Sequence, residues 1–364
     1  MLHQKKNVLI ISPEPWDHIK VSKHNYAIEL SKMGYKVFFL NPPDSINKKI
    51  NLQKTLIENI YIFNYAGQIR GLRYFPSFIR LTINRIFLKK LELVAKVRID
   101  IVWNFENSRL YDMRFANNRL KIYHQVDLNQ DFHVRAAASS ADICFCTTDY
   151  IKQKIIQYNK NSFKIHHGVS DESFLENSYP STNIHPVATL VGNLDISYFD
   201  LDLFEKLVLR YEYVHFNLIG TYLQQGLTYK KLSKYQNVQF IGKVESSLIK
   251  EYLAKSDILL VCYKANEFKE QLASPHKMME YLASGKVILT TYADEYKDKC
   301  NLLLMANSSV DYLMHFDDAV SKIDFYNSRD KMNERILYAK ENTYARQLER
   351  INDALCMLKL PNII

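Results

Sequence analysis

The chain has 364 residues, 47% of them hydrophobic and 24% charged, with 48 basic against 39 acidic side chains for a net charge of +9. That is the profile of a globular protein long enough for two ordinary domains. Five cysteines, an odd number and dispersed except for Cys144 and Cys146, argue against a disulfide framework and for a reducing compartment. No apolar run approaches membrane-spanning length, and Lys5-Lys6 precede an apolar run over residues 8–11 that is too short for a secretion signal, so a cytoplasmic location is expected.

In chain order, the Val-Leu-Ile-Ile run in residues 7–12 predicts a buried strand, which ends in Pro13-Glu14-Pro15-Trp16-Asp17-His18 ahead of a helix over about 22–33. That loop stands at the carboxyl end of a first parallel strand, where open α/β sheets place their ligands. It lacks a glycine-rich phosphate fingerprint, so it reads either as a shaped ligand mouth or as a rigid loop with Trp16 plugging the core. Gly34 ends the helix, and further strands are expected over 36–40, 60–65, 100–105, 121–125, 141–146 and 163–166. Cys144 and Cys146 fall two apart in one of these, so both share a face as small core residues.

Residues 70–98 hold Arg70, Arg73, Arg80, Arg85, Lys89, Lys90, Lys96 and Arg98 against the single acid Glu92, interleaved with Tyr74, Phe75, Phe78, Ile79, Ile83, Ile86 and Phe87. A basic, aromatic-rich amphipathic helix of this kind fits an anionic membrane surface, or equally a packed helix with a solvated basic face. Nucleic acid ranks last as a partner, because no recognised binding motif accompanies the charge.

A polar, structure-poor stretch over 170–186 predicts an interdomain linker. The alternation then restarts with a strand over 187–191, the turn Gly192-Asn193, a helix over 199–210, strands over 214–219 and 238–241 each followed by a glycine, a helix over 247–255 and a strand over 257–262. Helices near 310–322 and 344–358 remain. Strand and helix alternating through two halves predict an α/β protein of two doubly wound, Rossmann-like domains facing across a cleft, over 1–175 and 186–340.

The most informative stretch is Ser274-Pro275-His276-Lys277-Met278-Met279-Glu280-Tyr281-Leu282-Ala283-Ser284-Gly285. Ser before Pro is a helix start signal, and Gly285 supplies the stop. Met278, Tyr281 and Leu282 share one face, while Lys277 and Glu280, three apart, project together from another. Lys277 sits in the first turn, where the macrodipole is positive and an acid is preferred by a few tenths to about 1 kcal/mol. A bound phosphate would offset that charge, with Glu280 free to accept hydrogen bonds from a ribose diol; an ordinary surface pair is the other reading.

These residues, in the pattern P-x-K-x-x-E-Y-x-A-x-G, resemble the donor-site helix of the GT-B nucleotide-sugar glycosyltransferases, in the family 4 and family 1-like branch. The resemblance implies that Lys277 reaches the diphosphate and Glu280 the ribose, with Ser274, Pro275 and His276 shaping the helix start. It also implies that the Gly192-Asn193 turn faces the donor, that Tyr263 stacks on the base or serves as a core-edge tyrosine, and that the last helix, over 341–364, crosses back to the first domain. His167-Gly168-Val169 resembles the Asn-Gly-Val turn that closes the first domain in this family. Leu272 stands where the retaining branch has a Glu, so retention of configuration is not carried over. Asp200-x-Asp202 imitates the metal motif of the other glycosyltransferase fold but opens a helix, where acids are favoured by the dipole, and no metal site is assigned.

The expected activity is therefore transfer of a sugar from a nucleotide diphosphate sugar to a glycan or lipid-linked acceptor, with no further cofactor, in bacterial surface polysaccharide synthesis. Deprotonating an acceptor hydroxyl needs a carboxylate or imidazole within hydrogen-bond reach. Asp127, in the stretch Val126-Asp127-Leu128-Asn129-Gln130-Asp131 that follows the fifth strand, is the candidate base, with His124 and Asp17 as rivals. Asp127 acting only as a helix cap is the competing reading. Two other classes stay open: a nucleotide-sugar epimerase on the same fold, and a catalytically degenerate glycan-binding subunit.

Overall fold

The structure, a computed structural model, describes residues 6–44, 46–47, 49–67, 69, 71–128, 132–175 and 183–363. Lys5, Arg70 of the basic run, residues 129–131 beyond Asp127 and residues 176–182 of the expected linker lie outside the described residues. The chain divides into two compact units, one running to residue 166 and taking in residues from 344 onward, the other spanning 167–343.

The first unit contains β1 (Asn7–Ile11), α1 (Ser22–Lys32), β2 (Lys36–Leu40), β3 (Asn51–Lys54), β4 (Ile60–Asn64), α2 (Ser77–Ala95), β5 (Ile101–Asn104), β6 (Leu120–Gln125), α3 (Val134–Ser140), β7 (Ile143–Cys146), α4 (Asp149–Ile156) and β8 (Ser162–Lys164). Its sheet runs β3-β4-β2-β1-β5-β6-β7-β8 and is parallel except for β3, which pairs antiparallel with β4 at the edge. The sequence reading passes over β3 because its Asn-Leu-Gln-Lys is almost wholly solvent-facing and carries no apolar alternation. The basic run is shorter as a helix than expected: α2 starts only after Pro76, whose preceding residue is pushed out of the helical region.

Both faces of this sheet are covered, as a parallel sheet requires. Alternate residues of β1 go to opposite sides: Leu9 and Ile11 join Leu88 and Leu91 of α2, while Val8 and Ile10 join Tyr26 and Leu30 of α1. Cys144 and Cys146 lie together in the first of these layers, among the core apolar side chains.

The second unit contains β9 (Val187–Val191), α5 (Leu201–Arg210), β10 (His215–Ile219), α6 (Leu227–Leu232), β11 (Val238–Gly242), α7 (Ser246–Ala254), β12 (Ile258–Val261), α8 (Lys277–Ser284), β13 (Val287–Thr291), β14 (Leu304–Ala306), α9 (Ser309–Ser321), α10 (Ile323–Tyr326) and α11 (Arg329–Lys340). Its sheet is ordered β11-β10-β9-β12-β13-β14, and each of these neighbouring strands pairs parallel. Residues just after 166 go with this unit because Val169 bridges to Thr343 and its amide donates to the Asn342 carbonyl at 3.1 Å. The final helix, α12 (Tyr344–Met357), instead sends Leu348, Ile351 and Leu355 into the α1 face of the first unit.

His124 lies inside the first unit's core, 1% exposed, with its ring against Phe105, Tyr26 and Trp103 at centroid distances of 4.9, 5.6 and 6.1 Å. Neither ring nitrogen has a hydrogen-bond partner among the described residues. Burial, reinforced by the nearby Lys23 charge, holds its pKa down to about 3. This corrects the expectation that His124 is a rival base: an imidazole sealed among aromatic rings does not reach a substrate hydroxyl.

Burial also lowers His24 to about 4. Both groups bind a proton more readily in the unfolded chain, where an ordinary histidine titrates near 6.5. Their contribution is therefore fully present above that value and is lost as pH falls toward the folded values, by at most about 1.4 kcal/mol per pH unit for each histidine. Denaturant unfolding of the wild type at about pH 7, 6 and 5 is expected to show falling stability, and His124→Phe a shallower fall. An identical slope in the variant contradicts this account.

Candidate functional site

In the second unit the strand order turns about between β9 and β12. The helices that follow these strands pack on opposite faces, α5 through Leu203 and Leu207 and α8 through Met278 and Leu282. Between the two strand ends lies the switch point at which open α/β sheets bind ligands.

Three strands end here on glycine: Gly192 follows β9, Gly220 follows β10, and Gly242 closes β11. A Cβ on Gly220 would stand 1.7 Å from the Gly192 carbonyl oxygen, and its φ of +137° is one that side chains disfavour. Gly192 N–H donates to Ile219 O at 2.9 Å and Gly220 N–H to Gly242 O at 2.8 Å, tying the three turns into a row. Asn193 shapes its own turn, its Oδ1 accepting the Asp195 amide at 3.1 Å. Glycines after β10 and β11 are expected from the sequence, but the contact of Gly220 with Gly192 comes only with the sheet order.

Tyr263 leaves β12 at the same edge, half-buried, its amide donating to Thr291 Oγ1 at 3.1 Å. Its ring meets Tyr198 edge-on at 5.2 Å, and its hydroxyl lies 3.7 Å from where a Cβ on Gly192 would sit. Burial first, then neighbouring Tyr198 and Cys262, pushes its phenol well above the ordinary range, so it acts here as a neutral donor or acceptor.

Helix α8 is pinned to this edge by Tyr281. The buried phenol oxygen accepts the Val191 amide at 2.8 Å and donates to the Leu260 carbonyl at 3.3 Å, joining the ends of β9 and β12. At the other end Gly285 adopts φ +78° and stops the helix, as its sequence position indicates. A Cβ there would press on Ile336 and Met332 of α11, and buried Arg335 donates to the Gly285 carbonyl at 2.8 Å.

The helix start differs from expectation. Ser274 does not cap α8: the helix begins at Lys277, and His276 occupies the N-cap position without a side-chain cap. Pro275 instead closes the preceding turn, its carbonyl accepting the Met278 amide at 3.1 Å. The exposed His276 ring packs on buried His167 with centroids 3.9 Å apart, a contact that links the turn opening this unit to the start of α8.

Lys277 Nζ stands 3.0 and 3.2 Å from the two Glu280 carboxylate oxygens. The side chains remain 24% and 32% exposed, so the pair is worth at most about 1 kcal/mol and opens cheaply toward a ligand. Asp200 caps α5 by accepting the Leu203 amide at 3.0 Å, and Asp202 pairs with Lys231 at 2.6 Å. Both acids of the Asp-x-Asp are thereby engaged in helix capping and surface pairing.

In the first unit the analogous switch point falls between β1 and β5. Asp17 is exposed in the loop after β1, and Asp127 is half-buried just beyond β6, its carbonyl accepting from Gln125 Nε2 at 3.2 Å. Two charged pairs at the switch point itself escape the sequence reading. Glu14 is ion-paired with Lys23, whose side chain is 1% exposed. Glu106, 6% exposed, meets Arg109 at 2.7 Å. Burial opposes ionisation of Glu106, but Arg109 and Ser108 outweigh it and lower its pKa. A glutamate two or three places past a strand's end was the available signal.

Residues 201–353 match the model of a glycosyl transferase-like family. No curated protein matches the sequence. Among solved structures, sucrose-phosphate synthase from Thermosynechococcus elongatus is similar at TM-score 0.71 and 12% identity, over 98% of this chain and 99% of that one. Anabaena HepE in complex with UDP and glucose is similar at TM-score 0.65 and 12% identity, over 96% and 99%. WaaG, a glycosyltransferase involved in lipopolysaccharide biosynthesis, is similar at TM-score 0.64 and 13% identity, over 95% and 99%. The fold is that of the GT-B glycosyltransferases. Within this GT-B chain the family match takes in Gly220, Tyr263, Lys277, Glu280 and Tyr281, while the Gly192 turn and the first unit up to residue 166 share the architecture without that match.

Proposed function

We propose that this protein is a glycosyltransferase of the branch marked by P-x-K-x-x-E-Y-x-A-x-G. In this reading the second unit holds a nucleotide diphosphate sugar, and the first presents a glycan or lipid-linked acceptor. The observation that carries the reading is the start of α8: Lys277 and Glu280 stand on a helix that Tyr281 fixes at the switch point beside the Gly192 turn. The diphosphate meets the Lys277 ammonium and the first-turn amides, Glu280 turns to the ribose hydroxyls, and the Gly192 and Gly220 backbones allow close approach.

The acceptor oxygen then attacks the anomeric carbon as the bond to the diphosphate breaks, and Lys277 stabilises the departing negative charge. The acceptor proton passes to a carboxylate: Asp127 is the first candidate, with Asp17 and the switch-point Glu14 as alternatives. The charge on the leaving group is met by these protein groups, so the reaction in this reading needs neither metal nor cofactor. HepE's bound UDP and glucose support the donor class, and WaaG's part in lipopolysaccharide biosynthesis supports a role in surface polysaccharide synthesis.

Lys277→Ala is expected to weaken nucleoside diphosphate binding, measured by calorimetry with UDP, GDP and ADP, by about tenfold or more, and to reduce transfer by about a hundredfold or more. Unchanged affinity for whichever nucleotide binds the wild type rejects the assignment. The solvent-facing side of α2, with Phe78, Ile86 and Leu93 beside Arg85, Lys89 and Lys90, further suits an anionic membrane surface. More protein is expected to sediment with anionic than with neutral vesicles, and equal amounts refute that attachment.

A further inference from the structure

Two cavities adjoin in the first unit, and their walls differ in chemistry. One, of about 720 Å³, is a groove along α2 with Ile83, Ile86, Phe87 and Val94 on one side and Ile50 and Ile69 on the other. The α2 residues recur at three-, four- and seven-residue intervals, one stripe of the helix. Phe87 at the base of the stripe is buried and Ile83 half-buried, but Ile86 is 49% exposed and Val94 40%, as is Ile69 across the groove at 53%, an apolar surface that water is poorly suited to cover. Among the described residues its charged lining is Lys49 and Lys90.

The other cavity, of about 600 Å³, opens at the carboxyl ends of β2, β4 and β5, where Pro43, Tyr65 and Ser108 lie. Arg73, Arg80, Arg109 and His133 line it, and among the described residues no acidic side chain does. Arg109 is matched by Glu106 at 2.7 Å, whereas Arg80 donates to the Phe75 carbonyl at 3.2 Å and has no close carboxylate among the described residues. The carboxylate it faces, Asp112 at 3.8 Å, is already held by Arg114 through contacts of 2.6 and 2.8 Å. Arg80 Nε is buried without a hydrogen-bond partner among the described residues, and its guanidinium lies over the Tyr111 ring at 5.1 Å. Burial first, then the charges of Arg80 and Arg73, lowers the His133 pKa, so this floor is electropositive. Tyr65 and Ile69 line both cavities, so one molecule can occupy both.

A cationic pocket that continues into an apolar groove is complementary to an anionic head on a hydrocarbon chain. We propose that the first unit binds an amphiphilic phosphate, its phosphate at Arg73 and Arg80 and its chain along Ile83, Ile86 and Val94 of α2. Identifying this ligand as the carrier of the acceptor sugar or hydroxyl rests on the glycosyltransferase reading above; the binding site rests on its own geometry. Each volume lies within the range of small-molecule sites, roughly 300–1,000 Å³.

The test is calorimetric titration of the full chain with dodecyl phosphate below its micelle concentration, against inorganic phosphate and the neutral amphiphile octyl glucoside. Dodecyl phosphate is expected to bind about tenfold or more tighter than either. Ile86→Asp is expected to cut that affinity about tenfold while leaving inorganic phosphate binding as it was, and Arg80→Ala to weaken both phosphates. Ile69→Asp, at a more exposed position, serves as the second groove variant should either fail to give a normal melting curve. Equal affinity for dodecyl and inorganic phosphate, or dodecyl phosphate binding that both groove variants leave intact, overturns the proposal. So does sedimentation with anionic vesicles without binding of dispersed dodecyl phosphate, which makes the patch a bilayer contact only. UDP, GDP and ADP titrated into the same wild-type sample report the donor reading separately. Nucleotide binding without amphiphile binding removes this site alone, and amphiphile binding without nucleotide binding supports it while removing the donor reading.

Discussion

The position of α8 depends on one buried hydroxyl. Tyr281 accepts the Val191 amide and donates to the Leu260 carbonyl, so the two strands on either side of the sheet's reversal are tied to the helix that begins nearest to it. Each bond is worth only about 1 kcal/mol net, but an unmade partner in this dry interior costs more than the bond returns, which holds the geometry to one arrangement. Met278, Met279 and Leu282 pack the same face, and Arg335 with Gly285 closes the far end. The opposite face is thereby left to carry charge.

That charge is placed against local preference. A lysine in a helix's first turn meets the positive end of the dipole, and here Glu280 compensates it one turn on. An exposed pair of this kind contributes little to folding, so its exchange for a diphosphate and a ribose costs little. The glycine row beside it serves the same end by other means: Gly220 exists as glycine because the Gly192 carbonyl occupies the place of its Cβ. The backbone of these turns is therefore exposed to a ligand without intervening side chains.

Much of the architecture was legible because both sheets are parallel and buried on two sides, which writes strands as dense apolar runs such as Val8–Ile11 and 258–261 and separates them by helical stretches. The solvated edge strand β3 left no such mark. The helix around Lys277 was legible from spacing and from Gly285, whereas its first residue was not, since residues 274–276 form a turn in which the Pro275 carbonyl takes the Met278 amide. His124 misled for a related reason: a histidine near a strand's carboxyl end looks available, and only the packing of Tyr26, Trp103 and Phe105 around it shows otherwise. Lys23 with Glu14 and Arg109 with Glu106 are pairings that only the fold brings into view.

The central claim is that a diphosphate settles against the first turn of α8. Hydrogen–deuterium exchange resolved to the amides of residues 277–280, with and without a saturating nucleoside diphosphate, tests it most directly. The account predicts slower exchange there with the diphosphate, and a smaller effect from the matching monophosphate. Protection that appears elsewhere in the second unit while these amides exchange as before would contradict it.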